Sequence, residues 1–306
     1  MQAPFDNCFY GHLKPEVILF NYANKEAKAM TAFINILLTF TVLFSGIGSQ
    51  IDYIFNPAKY NAIKLDVSSA SIPSPVTEPS KDGFIQLSEV KMHYLVYGNG
   101  KKPLILIHGN GGSANSLKEA ATYLANDYTV YLPESRCHGQ SSDPGEISYK
   151  LMAKDLKEFI EKLGLRKPVL MGHSDGAINA ITLAAEYPDV PGAIIACGAN
   201  SHPKTFKLYF PLGVAISNLF KPDKLNTMML TLPDFTEEYL AKVKCPSYIV
   251  SGQFDIMWIS DTVYISENIK SSDMAILKGE DHSSYMSQNG KKAYVLATEW
   301  LGKINY

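Results

Sequence analysis

Five short apolar runs recur between residues 103 and 252: PLILIHG, TVYLPE, PVLMG, GAIIACG and PSYIVSG. Between most of them lie stretches whose apolar positions fall at helical spacing, SLKEAATYLAND, YKLMAKDLKEFIEKLG and INAITLAAEYP. A strand that is apolar along its whole length is buried on both faces, and strands that alternate with helices need right-handed crossovers. The pattern therefore predicts an α/β fold with a mostly parallel central sheet flanked by helices. Ahead of these runs FIQLSEVKMHYLVYG alternates and turns at Ser88 and Glu89, which predicts an antiparallel hairpin. Ligands of open α/β sheets gather at the carboxyl ends of the strands, so chemistry is expected directly after the apolar runs.

The N-terminal part has a different texture. From Met30 to Ile51 the chain carries no charge, about the length that crosses a bilayer as one helix. Lys25 and Lys28 precede this run and the next base is Lys59, a bias that places the N-terminus in the cytoplasm and the remainder outside. A cleaved signal peptide is the competing reading, with Gly46, Gly48 and Ser49 as the small residues near a cleavage site, and a buried core helix is the third. After it comes a stretch rich in Pro, Ser and Ala, SSASIPSPVTEPSKDG, with the composition of an extended, poorly packed linker. The expected organisation is a polar segment at 1–29, an anchor or signal peptide at 30–51, a linker at 52–83 and a folded domain at 84–302. That domain would be held at the membrane outside the cytoplasm, or secreted.

Composition narrows the possible partners. With 46% hydrophobic and 19% charged residues among 306, and a net charge of −2, the chain is globular and has no basic cluster to meet nucleic-acid phosphates. Cys8, Cys137, Cys197 and Cys245 are far apart and show no CxxC spacing, so neither a metal site nor a redox pair is expected. Free thiols are the simplest reading, and disulfides in an oxidising compartment stay open.

The run PVLMG is followed by His173, Ser174, Asp175 and Gly176, so that Gly172 and Gly176 flank Ser174 at G-x-S-x-G spacing. A strand that turns at once into a helix forces its corner residue into a strained conformation, and neighbours without side chains make room for it. Such a turn lifts the hydroxyl to a helix N-terminus, where the dipole favours negative charge. A serine hydroxyl needs a base to take its proton and an acid to orient that base. Asp255 follows PSYIVSG and His282 follows the next apolar run, which gives the chain order Ser174, Asp255, His282. Asp273 and Asp281 are rival carboxylates, whereas His93, His202 and His12 sit in less suitable places. PLILIHGNGGS puts His108, Gly109, Asn110, Gly111 and Gly112 after a central strand. Backbone N–H groups there, with that of Asp175, would stabilise an oxyanion. A phosphate loop is the alternative, but no G-K-[ST] follows. His108 is expected to hold the loop by hydrogen bonds.

HGNGG at 108–112, ESRCHGQS at 134–141, GHSDG at 172–176, SGQFD at 251–255 and GEDH at 279–282 together resemble the α/β-hydrolase superfamily over roughly residues 84–302. The second stretch departs from the family pattern D-x-R-G-H-G-x-S, with Glu134 for Asp and Cys137 for the first Gly. The resemblance implies the α/β-hydrolase fold with a short helical cap at about 201–242, and a carboxylesterase-like serine hydrolase that works without metal or cofactor. In it Ser174 would attack, His282 would move the proton, Asp255 would hold the imidazole, and Asn110 and Asp175 would form the oxyanion hole. The haloalkane dehalogenase and epoxide hydrolase branches use an aspartate where this chain has Ser174, and proline iminopeptidases carry an HGGPG stretch missing here. Within the cap Phe210, Met228 and Met229 would line an apolar acyl pocket, or simply pack the cap onto the domain. The expected partner is a small-molecule ester. Cleavage of an amide, a lactone or a carbon–carbon bond by the same triad is the alternative, as is a ligand-binding protein on a hydrolase scaffold.

Overall fold

The computed structural model describes residues 43–306. The polar segment 1–29, residues 30–42 of the expected apolar span, Cys8 and His12 lie outside the described residues. The chain divides into two units, Met1–Phe44 and Ser45–Tyr306, and the sheet belongs wholly to the second.

Each apolar run forms a strand: β4 at Lys102–Ile107, β5 at Tyr128–Pro133, β6 at Val169–His173, β7 at Ala193–Cys197 and β8 at Ser247–Gly252. The hairpin is β2 at Lys81–Gln86 and β3 at Lys91–Tyr97, while β1 at Ala62–Ile63 and β9 at Ser272–Leu277 complete the other edge. Among the described residues the sheet order is β1-β9-β8-β7-β6-β4-β5-β3-β2. All neighbours are parallel except β2 with β3 and β3 with β5.

The helices follow from the two faces of this sheet. Successive strand side chains point to opposite sides, so Leu104 and Leu106 of β4 enter one core and Ile105 and Ile107 the other. The first core is completed by α2 (Lys118–Leu124) and α9 (Gly290–Lys303). The second is completed by α3 (Tyr149–Lys162), α4 (Asp175–Glu186) and α8 (Ile259–Glu267). Ser148 caps α3 by accepting from the Leu151 N–H, and α3 buries Met152, Leu156, Phe159 and Ile160 at helical spacing. Between β7 and β8 the chain builds the cap helices α5 (Tyr209–Phe220) and α6 (Lys224–Thr231), then the short α7 (Glu237–Leu240).

The stretch after the apolar run is not the loose linker that its composition suggested. It forms a 3-10 turn at Pro57–Tyr60 and then β1, which pairs with β9 through Ala62 and Ile63. Beyond β1, Leu65 is buried in the core beneath α2 and α9, with Val67, Ala70, Ile72 and Val76 packed beside it. Val76 N–H also donates to the Thr122 carbonyl at 2.8 Å. Proline and serine set the extended backbone, while the apolar residues scattered among them pack into the core beneath α2 and α9. The described part of the apolar run lies in a helix over residues 43–55, here α1. Among the described residues no helix is long and apolar enough to cross a membrane. Cys137, Cys197 and Cys245 are free thiols.

If residues 62–76 are an integral layer, Leu65→Ala will lower the unfolding free energy by about 2–4 kcal/mol, the usual loss for a buried leucine. Urea unfolding of the variant against the parent measures it; a difference below about 0.5 kcal/mol, ordinary for surface positions, would mean that the segment is not docked.

Candidate active site

β6 ends at His173 and α4 starts at Asp175, so Ser174 alone turns the chain. Its backbone lies at φ 56° and ψ −120°, a region that costs a non-glycine residue on the order of 1–3 kcal/mol. The corner is too tight for side chains on either flank. A Cβ on Gly172 would stand 2.1 Å from the Gly176 carbonyl oxygen, and one on Gly176 would stand 2.0 Å from the Ile107 oxygen. Ser174 N–H donates to the Cys197 carbonyl at 2.8 Å, and the Ser174 carbonyl accepts from Ala177 and Ile178. The first-turn N–H groups of Asp175 and Gly176 consequently have no carbonyl of their own helix to bond.

Asp255 stands three residues beyond the end of β8 and is buried. One carboxylate oxygen meets His282 Nδ1 at 2.6 Å and accepts from Ile256 N–H at 2.7 Å; the other accepts from Gly252 N–H at 3.1 Å. Burial pushes this carboxyl up, but the charge and hydrogen bond of His282 and the two backbone donors carry it below the ordinary aspartate value. Burial pulls His282 down, and the attraction and hydrogen bond of Asp255 more than reverse this, leaving the imidazole above its ordinary value. The rival carboxylates are engaged elsewhere. Asp281 accepts from Ser283 and Ser284 N–H in its own turn, and Asp273 holds Trp300 and Lys303.

The end of β7 seats both halves of the site. Ser174 hangs from the Cys197 carbonyl, and the His282 ring lies on Gly198, where a Cβ would come within 2.9 Å of Cε1. Gly198 also takes φ +69°, so this position needs glycine twice over. Ser174 after β6 and the Asp255–His282 pair after β8 and β9 thus lie to either side of the carboxyl end of β7.

The loop after β4 stands across the corner from Ser174. A Cβ on Gly109 would be 3.1 Å from that of Ser174. The Asn110 amide donates to the Asp175 carboxylate at 3.0 Å and to the Leu225 carbonyl of α6 at 3.2 Å. Asp175 is buried, and burial raises its carboxyl despite the hydrogen bonds from Asn110 and Tyr149. His108 fixes the loop from beneath: its Nδ1 donates to the Gly109 carbonyl at 2.8 Å and its Nε2 accepts from Ser135 N–H at 3.0 Å. Burial first, and the neighbouring His138 second, hold His108 at about 4, so it is neutral near pH 7.

The loop ESRCHGQS backs this arrangement. Cys137 takes φ +65° where the family pattern has glycine, so the left-handed backbone survives the substitution. Glu134, longer than the aspartate of that pattern, accepts from Gln140 and Ala114 N–H at 2.5 and 3.1 Å. Its carboxylate lies so close to Gly139 that a Cβ there would be 2.2 Å away. Arg136, 1% exposed, makes a bidentate pair with Asp155 at 2.6 and 2.7 Å and reaches Glu89 at 3.1 Å.

The three side chains expected to line an acyl pocket divide between two packings. Met228 enters the core beside α3 and α4 and lines a cavity of about 500 Å³ with Ile147, Thr227 and Leu232. Met229 joins Phe206 and Met257, with Phe210 packed on them. Adjacent residues point about 100° apart on a helix, so α6 sends the two methionines to different places. The Met229 cluster reaches the loop of Asp255 through the Phe206–Met257 bridge.

His173 is a site residue that the spacing argument passed over. Its Nε2 donates to the His282 carbonyl at 2.6 Å and its ring lies 4.9 Å from that of His282. Burial, then the charge of His282, brings it to about 4, so it is a neutral strut. Its place inside GHSDG was visible; its contact 109 residues away was not. Lys207 was missed likewise: its ammonium donates to the Asp255 carbonyl at 2.6 Å, tying the cap to the acid loop.

The sequence pattern of the alpha/beta hydrolase fold matches residues 102–261. Epoxide hydrolase 4 of Mus musculus is 32% identical over 129 residues, 41% of this chain and 36% of that protein. The chain spans about half or less of the length of the curated relatives it matches. Among solved structures, an esterase of Thermogutta terrifontis is similar with a TM-score of 0.58 at 21% identity, over 78% of this chain and all of that one. A membrane phospholipase A described as a bacterial virulence factor is similar with a TM-score of 0.59 at 16% identity, over 96% of this chain and all of that one. Likeness at such identities is likeness of fold. With the family pattern covering more than half of its length and the sheet order above, the chain belongs to the alpha/beta hydrolase family.

Proposed function

We propose that the chain hydrolyses carboxylic esters or thioesters through an acyl-enzyme on Ser174. The reading rests above all on the Asp255–His282 pair at 2.6 Å, set beside a serine that the β6–α4 corner holds in a left-handed conformation. A buried acid that anchors one imidazole nitrogen fixes the tautomer, so that Nε2 is the basic atom. Relatives named as an epoxide hydrolase and a fluoroacetate dehalogenase stand beside esterase structures. The family resemblance puts an aspartate at this place in the haloalkane dehalogenase and epoxide hydrolase branches, and Ser174 in its stead favours acyl transfer.

In this reading Ser174 Oγ attacks the substrate carbonyl while His282 Nε2 takes its proton. The oxyanion so formed accepts from the backbone N–H groups of Asn110 and Asp175. His282 returns the proton to the leaving alcohol or thiol, and the carbonyl re-forms as the acyl-enzyme. Water then loses a proton to His282 and attacks, and Ser174 leaves with that proton. Asp255 stays ionised throughout and stabilises the transient imidazolium. The Asn110 amide, held by Asp175 and by the cap carbonyl of Leu225, sets the aim of its own backbone donor. Met229, Phe206 and Phe210, beside the acid loop, are the apolar surface on offer to an acyl chain.

A fluorophosphonate probe will label Ser174 in the purified chain, as read by mass spectrometry of the modified peptide. Ser174→Ala will abolish labelling and lower turnover of short p-nitrophenyl esters by about a thousandfold or more; turnover near the parent rate would reject Ser174 as nucleophile. The pH profile supplies a second test. His282 must be neutral to act as base, and its acid form is held above the ordinary 6.5, so the parent's activity will fall as pH drops through a midpoint above 6.5. Asp255→Asn removes the attraction that raises this value and leaves the burial that lowers it. The residual activity will therefore show its acid limb at lower pH, with a plateau reduced by about a thousandfold or more. An unmoved limb would assign the orienting acid elsewhere.

A further inference from the structure

α5 is apolar almost all round, YFPLGVAISNLF, yet none of its residues is buried. A helix with that composition ordinarily lies inside a core or against lipid. Its inner side, Phe210 and Val214, rests on the cluster of Phe206, Met229 and Met257. Leu208, Tyr209, Leu212, Ile216, Leu219 and Phe220 fall within roughly a third of the circumference at about 100° per residue, and they are 50–83% exposed.

α1 repeats the arrangement. Its inner side carries Gly46, Ser49, Gln50 and Tyr53, while Ile47, Ile51, Ile54 and Phe55 form an outer stripe that is 40–77% exposed. Both helices are tied to one short segment. Gln50 donates to the Gln253 carbonyl and Ser49 Oγ accepts from Ser260 N–H, while Lys207 N–H donates to the Ile256 carbonyl and Trp258 N–H to that of Thr205. Gly46 packs on the Trp258 indole, and the Lys207 ammonium lies 5.6 Å from the centre of the same ring. That segment carries Asp255 and the exposed Phe254.

We infer that the outer faces of α1 and α5 form a lipid-docking surface at the mouth of the site, so that the enzyme takes acyl esters of amphiphiles residing in a lipid surface. The substrate class rests on the ester-hydrolase reading; the docking does not. Two observations select lipid as the occupant. The charge-free run that starts at Met30 extends into α1 and ends at Ile51, within the stripe, so the exposed apolar face is continuous in sequence with a stretch about as long as a bilayer is thick. α5 itself has no charged residue, and Lys221 follows directly at its exposed C-terminal end, a base placed where anionic headgroups would meet it.

The test uses the full-length chain in vesicles of equal parts phosphatidylcholine and phosphatidylglycerol, with and without bromine on the acyl chains. Phe220→Trp adds one indole at an exposed position to the native Trp258 and Trp300. Its added emission will fall by about half or more in brominated vesicles and will be spared by aqueous iodide, as for a side chain a few ångströms below the headgroups. Emission quenched by iodide and indifferent to bromine overturns the proposal. Emission shielded from both also overturns it, and assigns the face to a second copy or to another part of the chain. The pair Leu212→Asp and Leu219→Asp, in one variant, will abolish the bromine effect and lower cleavage of a long-chain ester carried in the vesicles about tenfold or more, with cleavage of a short soluble ester unchanged. Equal losses on both esters would also overturn the docking role. Should the parent cleave neither ester while bromine still quenches, the ester reading fails and the docking stands.

Discussion

Ser174 stays in its left-handed conformation only because α4 is pressed against the ends of β4 and β6. Gly176 passes the Ile107 carbonyl with no space for a single carbon, and Gly172 passes Gly176 in the same way. The local cost of that corner, about 1–3 kcal/mol, is offset by the helix behind it. α4 buries Ala177, Ile178, Ala180, Ile181, Leu183 and Ala184 against the sheet and α3, and each large apolar side chain so placed contributes about 1.5–3 kcal/mol. A strained hydroxyl at the surface is thus a product of the hydrophobic core beneath it. The packing that holds the helix also leaves its first-turn N–H groups at the Ser174 corner without carbonyl partners in their own helix.

The remainder of the site is held by neutral or paired groups. His108 and His173 are both pulled to about 4, so each works as an uncharged strut with fixed donors and acceptors. Positive charge can then arise on His282, which alone of these three hydrogen-bonds a buried carboxylate. Arg136 and Asp155 lie farther out as a buried bidentate pair. Pairs of this kind add little net stability against an apolar replacement, but losing one partner costs about 3–5 kcal/mol. The loop of residues 134–141 is therefore locked to α3, and through the Ser135–His108 bond it locks the loop that carries Asn110.

The sheet was legible because strands buried on both faces leave continuous apolar runs, and the pairing of Asp255 with His282 because both follow such runs closely. The hairpin before them was legible for the opposite reason, an alternation with a turn at Ser88 and Glu89. What escaped was long-range or hidden by composition. The packing of residues 62–76 rests on single apolar residues among prolines and serines, which have no period to detect. His173 and Gly198 serve His282 through contacts set by the order of strands in space, and that order is absent from local pattern. Met228 and Met229 look equivalent in the sequence, yet one turn angle separates the core from the cap. At Cys137 the family pattern calls for glycine, and a Cβ is accommodated there because the thiol turns toward Asp143 at 3.3 Å.

Rigidity and apolar exposure are divided along the chain in a way that bears on chemistry. Below the site, strands and helices interlock in two continuous cores. Above it, the cap touches down through Met228 in the core beside α3 and α4, the small cluster of Phe206, Met229 and Met257, and a few polar ties, among them Asn110 to Leu225 and Lys207 to Asp255. Those two ties run to the loop of Asn110 and to the loop of Asp255. A displacement of the cap would therefore be felt at Asn110 and at Asp255 before it reached Ser174, whose own position is fixed from beneath. In such an arrangement the sheet and its helices fix Ser174, and the seating of the cap, with the apolar face of α5 turned away from the core, sets the register of the Asn110 and Asp255 loops around it.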